Sequence, residues 1–411
     1  MIRDIKICNR CLYPSNHPLG ITFNKNGICS GCEIHEEKNK LDWRYRFNKL
    51  KNILEKYKSK KGNYDCVIPV TGADDSYFIV HLAKNILKLN PLLVCHNKYF
   101  NTSIGIKNLA NLRIKFDCDI LIQNINLEVI KKITKYSFME FGNIYWPILA
   151  GHSSFPVQIA SKYKIPLIIW GAHQGIEQVG MYSHKHEVEM TRRYREDHDL
   201  FGKDEYSLLN VDNDIKEEDI LQFIYPDKKT INSIGIRGLY LGNFIRWDSV
   251  LQHKQMVKKY RYLAAPINRT FDTYNHTDCF NYMNLHDYLK LCKHGYSKVL
   301  DDTCREIRYK RINRQQGLFL IEKYELNSVD NLNLFCNWLG MNRKSLNFVL
   351  DRFKNRTFWK QIDIDRWTFD GISKIIRKKI TKSNNFKIKN FIVNSTNQKD
   401  KKEYIYFGKG I

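Results

Sequence analysis

The expected fold of this 411-residue chain follows from nine residues, Pro69-Val70-Thr71-Gly72-Ala73-Asp74-Asp75-Ser76-Tyr77. An apolar strand at 65–70 leads into a polar loop of small residues at 71–76, and apolar residues at helical spacing follow at 77–87. A strand, a loop and a helix in this order point backbone N–H groups and the positive end of the helix at one position. The sequence therefore predicts a phosphate-binding loop at 71–76.

The side chains of this loop suit phosphate chemistry. Thr71 and Ser76 carry hydroxyl donors, and Asp75 is placed to cap the helix or to face a magnesium ion. The loop lacks the lysine that a GxxxxGK[ST] loop carries before its last hydroxyl residue. An ordinary strand–turn–helix capped by Asp75 is the alternative that these residues leave open.

Strands and helices alternate around the loop. Apolar runs predict further strands at 91–95, 119–122 and 166–170, and helical spacing predicts helices at 105–116, 127–136 and 152–162. This alternation is typical of a parallel sheet with helices on both faces, so we expect an α/β fold. After about residue 204 the pattern becomes mostly helical, with a helical pair at 331–339 and 344–353 and a polar tail at 382–402.

Four cysteines lie ahead of the α/β region in two CxxC pairs, Cys8 with Cys11 and Cys29 with Cys32. Each pair can present two thiolates to one ion, and residues 21–26 between the pairs suggest a short hairpin. All four positions are filled, so we predict a structural Zn²⁺ in a ribbon at 1–40. The other seven cysteines are isolated along the chain and are expected to be buried thiols.

Composition limits the class of protein. Apolar residues make up 43% and aromatic residues 13% of the chain, which is a globular composition. We expect no membrane span and no secretory signal, and therefore a cytoplasmic protein. The net charge of +24 fits a polyanionic ligand or an evenly solvated basic surface. Because the basic residues are spread along the chain, charge alone does not decide between the two. Nucleic acid is not the partner that we expect.

The loop resembles the SGGxDS pyrophosphate loop of the PP-loop ATP pyrophosphatases, with Thr71 for the serine and Ala73 for the second glycine. With the cysteine pairs ahead of it, the chain resembles the PseA/WbpG-like N-acetyl sugar amidotransferase family. The likeness extends over nearly the full length, through stretches at 93–105, 168–171, 240–248, 286–302 and 307–314. One departure follows Gly171, where Ala172-His173-Gln174 stands in place of the family's Glu-Asn.

This resemblance implies an ATP-dependent enzyme. In such enzymes the N-acetyl oxygen of a bacterial surface sugar attacks the α-phosphate of ATP and releases pyrophosphate. Ammonia then displaces AMP and leaves an acetamidino group. The sugar would be a pseudaminic acid, legionaminic acid or lipopolysaccharide precursor, free or nucleotide-linked. The cofactors implied are ATP, Mg²⁺ and Zn²⁺. Since we find no glutaminase motif, we expect a partner glutaminase and a cyclase-like subunit to supply ammonia.

The resemblance also suggests site residues. Asp75 and Ser76 are the expected catalytic residues. Phosphates, Mg²⁺ and adenosine are expected to contact Thr71, Gly72, Ala73, Asp74, Asp75, Ser76, Asn97 and Gly171. Substrate contacts are expected from His173, Arg308 and Arg311, since ligands of open α/β sheets lie beyond the strand ends. Arg308, Arg311 and Arg314 recur at intervals of three on one expected helix, where a solvated basic face is the alternative. The histidines at 173, 184, 186 and 198 are too irregularly spaced to predict a metal site.

These features divide the chain into four parts. We predict the ribbon at 1–40, an amphipathic linker helix at 41–62, the PP-loop domain at 63–325 and a helical accessory region with a tail at 326–411. Two other functions stay open at this point. A tRNA-thiolating PP-loop enzyme would share the ribbon and loop, although many such enzymes carry a second cysteine pair that is missing here. A non-catalytic interaction subunit would fit if Ala73 and Asp74 mark a degenerate loop.

Overall fold

Five parallel strands form the central sheet of the computed structural model, which describes residues 5–60, 62–209, 214–364, 366–380 and the strand at 403–404. In chain order the strands of the structure are β1 Cys66–Pro69, β2 Pro91–His96, β3 Asn101–Thr102, β4 Ile120–Gln123, β5 Leu167–Trp170, β6 Arg237–Tyr240, β7 Trp359–Asp363, β8 Arg366–Phe369 and β9 Glu403–Tyr404. The central sheet has the order β4-β2-β1-β5-β6, and each of its neighbouring pairs is parallel. The chain leaves β1 first towards β2 and later returns to β5, so the strand order reverses at β1.

Helices surround this sheet. The described residues contain sixteen α-helical segments: α1 Ser30–Glu37, α2 Trp43–Glu55, α3 Ser76–Val80, α4 Ser103–Phe116, α5 Leu127–Phe141, α6 Trp146–Tyr163, α7 Arg192–Tyr194, α8 Glu217–Ile220, α9 Lys228–Ile234, α10 Ser249–Tyr260, α11 Asp287–His294, α12 Lys298–Arg308, α13 Arg314–Tyr324, α14 Leu332–Leu339, α15 Arg343–Arg352 and α16 Ile372–Arg377. Helix α3 continues as a π-helix, His81–Ile86. Within these described segments, no helix is long and apolar enough to cross a membrane.

Both faces of the sheet are buried. Ile68 and Leu93 pack in the cluster that contains side chains of α3, α4 and α10, whereas Val67 and Leu92 pack against α6 on the other face. Because side chains on both faces of β1 and β2 pack against apolar neighbours, the two strands are nearly continuous apolar runs in the sequence. The predicted parallel α/β sheet is confirmed.

The cysteine-bearing segment packs on the C-terminal helices. Short antiparallel bridges join Ile7 with Pro14 and Phe23 with Cys29, which gives the expected hairpin. The buried ribbon residues share one apolar cluster with side chains of α11, α12, α13 and α16. The ribbon therefore has no separate core.

Three local expectations can be compared with the structure. The region after residue 204 is not only helical, because β6 joins the central sheet and β7 pairs with β8 in an antiparallel hairpin. The linker at 41–62 holds α2, which is capped by Asp42 and buries Leu50 and Leu54 against the sheet's helices. The predicted tail at 382–402 lies outside the described residues. The four-part division of the chain stays a prediction.

Candidate functional site

The loop at 71–76 closes on itself at the carboxyl end of β1. The backbone N–H of Thr71 donates to Ser76 Oγ at 2.9 Å, and the N–H of Ala73 donates to Thr71 Oγ1 at 3.1 Å. Within the described chain, the N–H groups of Gly72, Asp74 and Asp75 have no acceptor. Unpaired N–H groups in such a turn form a concave site for an anion. The two hydroxyl residues thus shape the loop, and its free donors are left for a ligand.

Gly72 is required by its contact with the start of α4. A Cβ added at Gly72 would lie 2.1 Å from the backbone oxygen of Gly105. A Cβ added at Gly105 would in turn lie 2.4 Å from the Cα of Asp278. Three backbone segments therefore touch one another beside the loop, and only glycine fits at the two inner positions.

A buried lysine holds two carboxylates next to the loop. Lys98 Nζ lies 2.9 Å from Asp278 Oδ2 and 3.6 Å from Asp74 Oδ2. Asp74 also accepts a hydrogen bond from the backbone N–H of His276 at 3.0 Å. Burial opposes the charge of Lys98, but the carboxylates of Asp278 and Asp74 raise the pKa of its ammonium group. The carboxylate of Asp74, which sits at a φ of 55°, is thus paired within the protein.

The loop, the ends of β2 and the start of α4 enclose a cleft, here named the loop cleft. Among the residues that line it are Thr71, Gly72, Asn97, Lys98, Gly105 and Asp278. The amide of Asn97 donates to Asn124 Oδ1 at 2.7 Å, and its own oxygen accepts from Tyr99 N and Asn101 Nδ2. The structure thus brings Thr71, Gly72 and Asn97 to one cleft at the carboxyl edge of the sheet, where ligands bind in open α/β folds. The predicted loop residues Ala73, Asp74, Asp75 and Ser76 are not among the residues that line it.

Asp75 faces a different neighbour. His253 Nε2 on α10 lies 3.3 Å from Asp75 Oδ1. The His253 ring stacks on Tyr274 with centroids 3.6 Å apart, and Tyr274 stacks on Tyr262 at 3.9 Å. Burial and then the carboxylate of Asp75 raise the pKa of Tyr274, so its phenol stays protonated. Asp75 therefore connects the loop to a rigid stack of three rings.

The four N-terminal cysteines form a group that fits zinc. Their sulfur atoms lie within 4.8 Å of one another, with 3.9 Å between Cys8 and Cys32 and 3.6 Å between Cys11 and Cys29. A tetrahedral ion with Zn–S bonds of about 2.3 Å needs sulfurs about 3.8 Å apart. Among the described residues, this is the one group of three or more potential ligands found together.

Arg308 lies against this ribbon. Its guanidinium donates to the backbone oxygens of Glu177 and Gln178 at 2.9 and 2.8 Å and to Cys29 Sγ at 3.6 Å. Arg311 instead pairs with Asp248 and with Glu306. The three arginines do not share one helix as expected, because α12 ends at Arg308 and α13 begins at Arg314. Substrate binding by Arg308 and Arg311 stays a prediction.

His173 follows β5 and is buried among tyrosines. The rings of Tyr194, Tyr240 and Tyr182 lie 4.3, 4.7 and 5.6 Å from it, and neither ring nitrogen has a partner among the described residues. Burial lowers the pKa of His173 to about 4, so the imidazole is neutral. Gly171, two residues earlier, lies against Ile79 of α3. The substrate role of His173 and the nucleotide role of Gly171 stay predictions.

Sequence reasoning missed several residues beside the loop. Lys98 follows Asn97 at the end of β2, and its position at a strand end was the available signal. His253, His276 and Asp278 carry no motif and reach the loop from the far part of the chain. Their pairing with Asp74, Asp75 and Lys98 spans 178 to 202 residues of sequence.

Comparison with known proteins bears on the C-terminal part. Residues 268–382 match the family model described as LPS biosynthesis protein WbpG-like, C-terminal domain. This segment contains Asp278, Arg305 and Arg308. A WbpG-like domain indicates a role in surface-sugar biosynthesis, and hence an enzyme.

A second similarity is shorter. An uncharacterized protein of Methanocaldococcus jannaschii is 28% identical over 121 residues, which are 28% of this chain and 42% of that protein. The chain thus spans less than half the length of this relative.

Proposed function

We propose that the protein is an ATP-dependent amidotransferase that converts the N-acetyl group of a bacterial surface sugar to an acetamidino group. One observation supports this proposal most directly. A loop of the phosphate-binding type lies at the carboxyl edge of a parallel sheet, and its Asp74 contacts His276 in the WbpG-like segment of the same chain. The likeness of the loop to the PP-loop pyrophosphatases supports cleavage of ATP between its α- and β-phosphates.

In this proposal the loop binds the phosphates. The free N–H groups of Gly72, Asp74 and Asp75 are donors for phosphate oxygens, and Lys98 offsets the carboxylate charges of Asp74 and Asp278 beside them. Asn97 and Gly171 would contact the adenosine. The Asp75 carboxylate, 27% exposed, would hold Mg²⁺, which spreads the phosphate charge.

The chemistry needs positioning more than acid–base power. The amide oxygen of the acceptor forms a bond to the α-phosphorus, pyrophosphate leaves, and the amide N–H proton is released. Ammonia then adds to the imidate carbon, and AMP leaves with the bond electrons. We further propose that a glutaminase with a cyclase-like subunit supplies the ammonia, and that His173, Arg308 or Arg311 contacts the sugar.

The test measures the products of ATP cleavage. Purified protein is incubated with ATP, Mg²⁺, ammonium and a panel of N-acetylated free and nucleotide-linked sugars. AMP and pyrophosphate are expected in equal amounts together with an amidine, and glutamine should replace ammonium only when the glutaminase is added. ADP and phosphate as products would refute the proposal at its central point.

Substitutions in the loop test whether the loop is responsible for ATP cleavage. Asp75→Asn and Ser76→Ala should lower turnover at least about 100-fold, since they change contacts to Mg²⁺ and to the loop. Asp197→Asn and Ser233→Ala, at exposed positions, are the matched controls and should keep full turnover. Ala73→Gly restores the family's glycine and should be neutral or helpful. Equal turnover in all five variants would move catalysis away from the loop.

A further inference from the structure

A cluster of three rings and one lysine adjoins the loop on the side of Asp74. Its members are His276, Tyr282, His286 and Lys298, and we name it the Lys298 cluster. His276 Nδ1 lies 3.0 Å from Asp74 Oδ1, and the His276 ring lies 4.1 Å from that of Tyr282. The Tyr282 ring stacks on His286 with centroids 5.1 Å apart, and Lys298 Nζ lies 4.1 Å from the centroid of the Tyr282 ring. Two side chains, those of His276 and Tyr282, thus separate Lys298 from the loop.

The ends of two helices bring these side chains together. Tyr282 and His286 are the first and last residues of the π-helix Tyr282–His286, which leads directly into α11. Lys298 is the first residue of α12, and its backbone N–H donates to Asp287 Oδ1 at the start of α11 at 2.6 Å. All members of the cluster lie in the WbpG-like segment at 268–382. The cluster is therefore part of the segment that resembles surface-sugar proteins.

The charge of Lys298 is not balanced by an ion pair within the described part of the chain. Its ammonium group instead donates to the Tyr282 hydroxyl at 3.0 Å. The carboxylates of the neighbouring segments are paired with other cations: Asp287 with Arg269 at 2.8 Å, Asp278 with Lys98 at 2.9 Å, and Asp301 with Lys290. The cluster thus keeps a positive charge that a ligand can use.

Three groups of the cluster can still bind a ligand. An ammonium group has three N–H donors, and one of those of Lys298 reaches Tyr282. The Tyr282 hydroxyl accepts that bond, and its own proton has no acceptor among the described residues. His286 Nδ1 is likewise without a partner there. Lys298, Tyr282 and His286 are half-buried, so each side chain keeps some surface that solvent can reach.

The surroundings of His286 show that the local field is positive. Burial lowers the pKa of His286, and three lysines lower it further, with Lys298 first and then Lys293 and Lys290. A field that opposes a proton on an imidazole attracts an anion to the same place. The cluster therefore has both the donors and the charge of an anion site.

We propose that the Lys298 cluster binds an anionic group of the acceptor sugar, a carboxylate or a phosphate, with the Lys298 ammonium and the Tyr282 hydroxyl as donors. The inference rests on the proposed function, which requires an acceptor beside the α-phosphate. Since His276 and Tyr282 connect the cluster to Asp74, an acceptor held there by its anionic group can extend towards phosphates on the loop.

The experiment compares charged and neutral sugars on the full chain by calorimetry. N-acetylneuraminic acid carries a carboxylate, UDP-N-acetylglucosamine carries a diphosphate, and N-acetylglucosamine is neutral. Each is titrated with and without α,β-methylene-ATP, which occupies the loop, and the nucleotide is also titrated alone. With the nucleotide bound, at least one charged sugar should bind about tenfold or more tightly than the neutral one, and which of the two binds identifies the anionic group.

Variants assign this preference to the cluster. Lys298→Gln should weaken binding of the charged sugar about 10- to 100-fold, the range for one charge-assisted hydrogen bond, and Tyr282→Phe about 3- to 10-fold. Affinity for the nucleotide alone should not change in either variant. Lys323→Gln is the matched control, because it removes another lysine that lies over a tyrosine ring, that of Tyr324 on α13, and it should change neither affinity. Urea unfolding shows that each variant is folded.

Two results would overturn the inference and leave the ATP site standing. One is nucleotide binding without any preference for the charged sugars, including the case in which no sugar binds. The other is equal affinity for the charged sugar in the wild type and in both cluster variants. Binding of a charged sugar that Lys298→Gln weakens, in a chain that does not bind the nucleotide, would keep the cluster and remove the proposed reaction.

Discussion

Replacement of Gly72 by alanine should separate the loop from the helix that supports it. The new Cβ would lie 2.1 Å from the Gly105 oxygen, and ordinary contact begins at 3.4 Å, so the two backbones must move apart by about 1.3 Å. Asp278 packs directly behind Gly105 and limits that movement. Overpacking of this kind costs about 1–3 kcal/mol, and a displacement of this size at a catalytic loop costs about 100-fold in rate.

Two measurements separate the effect on the site from the effect on folding. Affinity for α,β-methylene-ATP reports the loop, and the midpoint of urea unfolding reports the whole chain. Gly242→Ala is the matched control, because the same added Cβ would meet its nearest atom, the Cα of Ala172, at 3.4 Å. We expect Gly72→Ala to lose at least about tenfold in nucleotide affinity and to unfold at lower urea, with Gly242→Ala close to wild type. Wild-type affinity and stability in Gly72→Ala would refute the reasoning about this contact.

Three further predictions follow from buried groups. Chelation of the metal should unfold the ribbon together with the C-terminal helices, because they share one core and binding of a structural zinc ion contributes about 10–16 kcal/mol to folding. Zinc analysis and calorimetry check this prediction, and a separate early unfolding transition of the ribbon would contradict it. Burial raises the pKa of Glu325 from 4.5 to about 7 in the folded protein, so the free energy of unfolding should fall as pH rises from about 4.5 to 7 and then level off. Urea unfolding of Glu325→Gln should show a smaller fall over this range. Equal pH profiles of the wild type and the variant would contradict the prediction. Arg308→Gln leaves the oxygens of Glu177 and Gln178 without their donor and should cost about 1–3 kcal/mol or more in urea unfolding, whereas the exposed control Arg193→Gln should cost less than about 0.5 kcal/mol.

The sequence predicted β1, β2 and β5 because each is buried on both sides. Residues 66–69 and 91–96 have no polar face, so their apolar runs are visible without knowledge of their neighbours. The cysteine pairs were equally visible, since their spacing alone brings four sulfurs to one ion. Local pattern was sufficient in both cases.

Strands that depend on a partner were missed. The strand β6, Arg237–Tyr240, is four residues long and contains a glycine, and it forms because the edge of β5 offers unpaired backbone groups. In β7, Trp359 is buried and the next four residues are exposed, so no alternation marks the strand. The predicted helix through the three arginines was wrong because Arg311 lies in the turn between α12 and α13.

The sequence predicted the loop of the candidate site but not the side chains that contact the loop. Thr71 and Ser76 form hydrogen bonds within the loop, so a motif contains them. Two partners of the loop, His253 and His276, lie 178 and 202 residues from Asp75 and Asp74, so no local pattern connects them to the loop. Asp74 shows the consequence: Lys98 Nζ lies 3.6 Å and His276 Nδ1 lies 3.0 Å from its carboxylate oxygens, and neither contact is visible in the sequence.

The ribbon lies against the segment that follows β5, and this contact connects the cysteine group to the carboxyl edge of the sheet where we propose the chemistry. Ser30 Oγ donates to the Val179 oxygen at 2.6 Å, and a Cβ added at Gly180 would lie 2.4 Å from the Ser30 oxygen. The second cysteine pair is thus packed backbone to backbone on the segment that follows β5 and His173. Loss of the metal would release residues 175–180 from the ribbon at the carboxyl edge of the sheet, while β1 and the loop would keep their own contacts. Hydrogen exchange after chelation should therefore rise at 175–180 together with the ribbon, and protection there equal to that of β1 would contradict a positioning role for the ribbon.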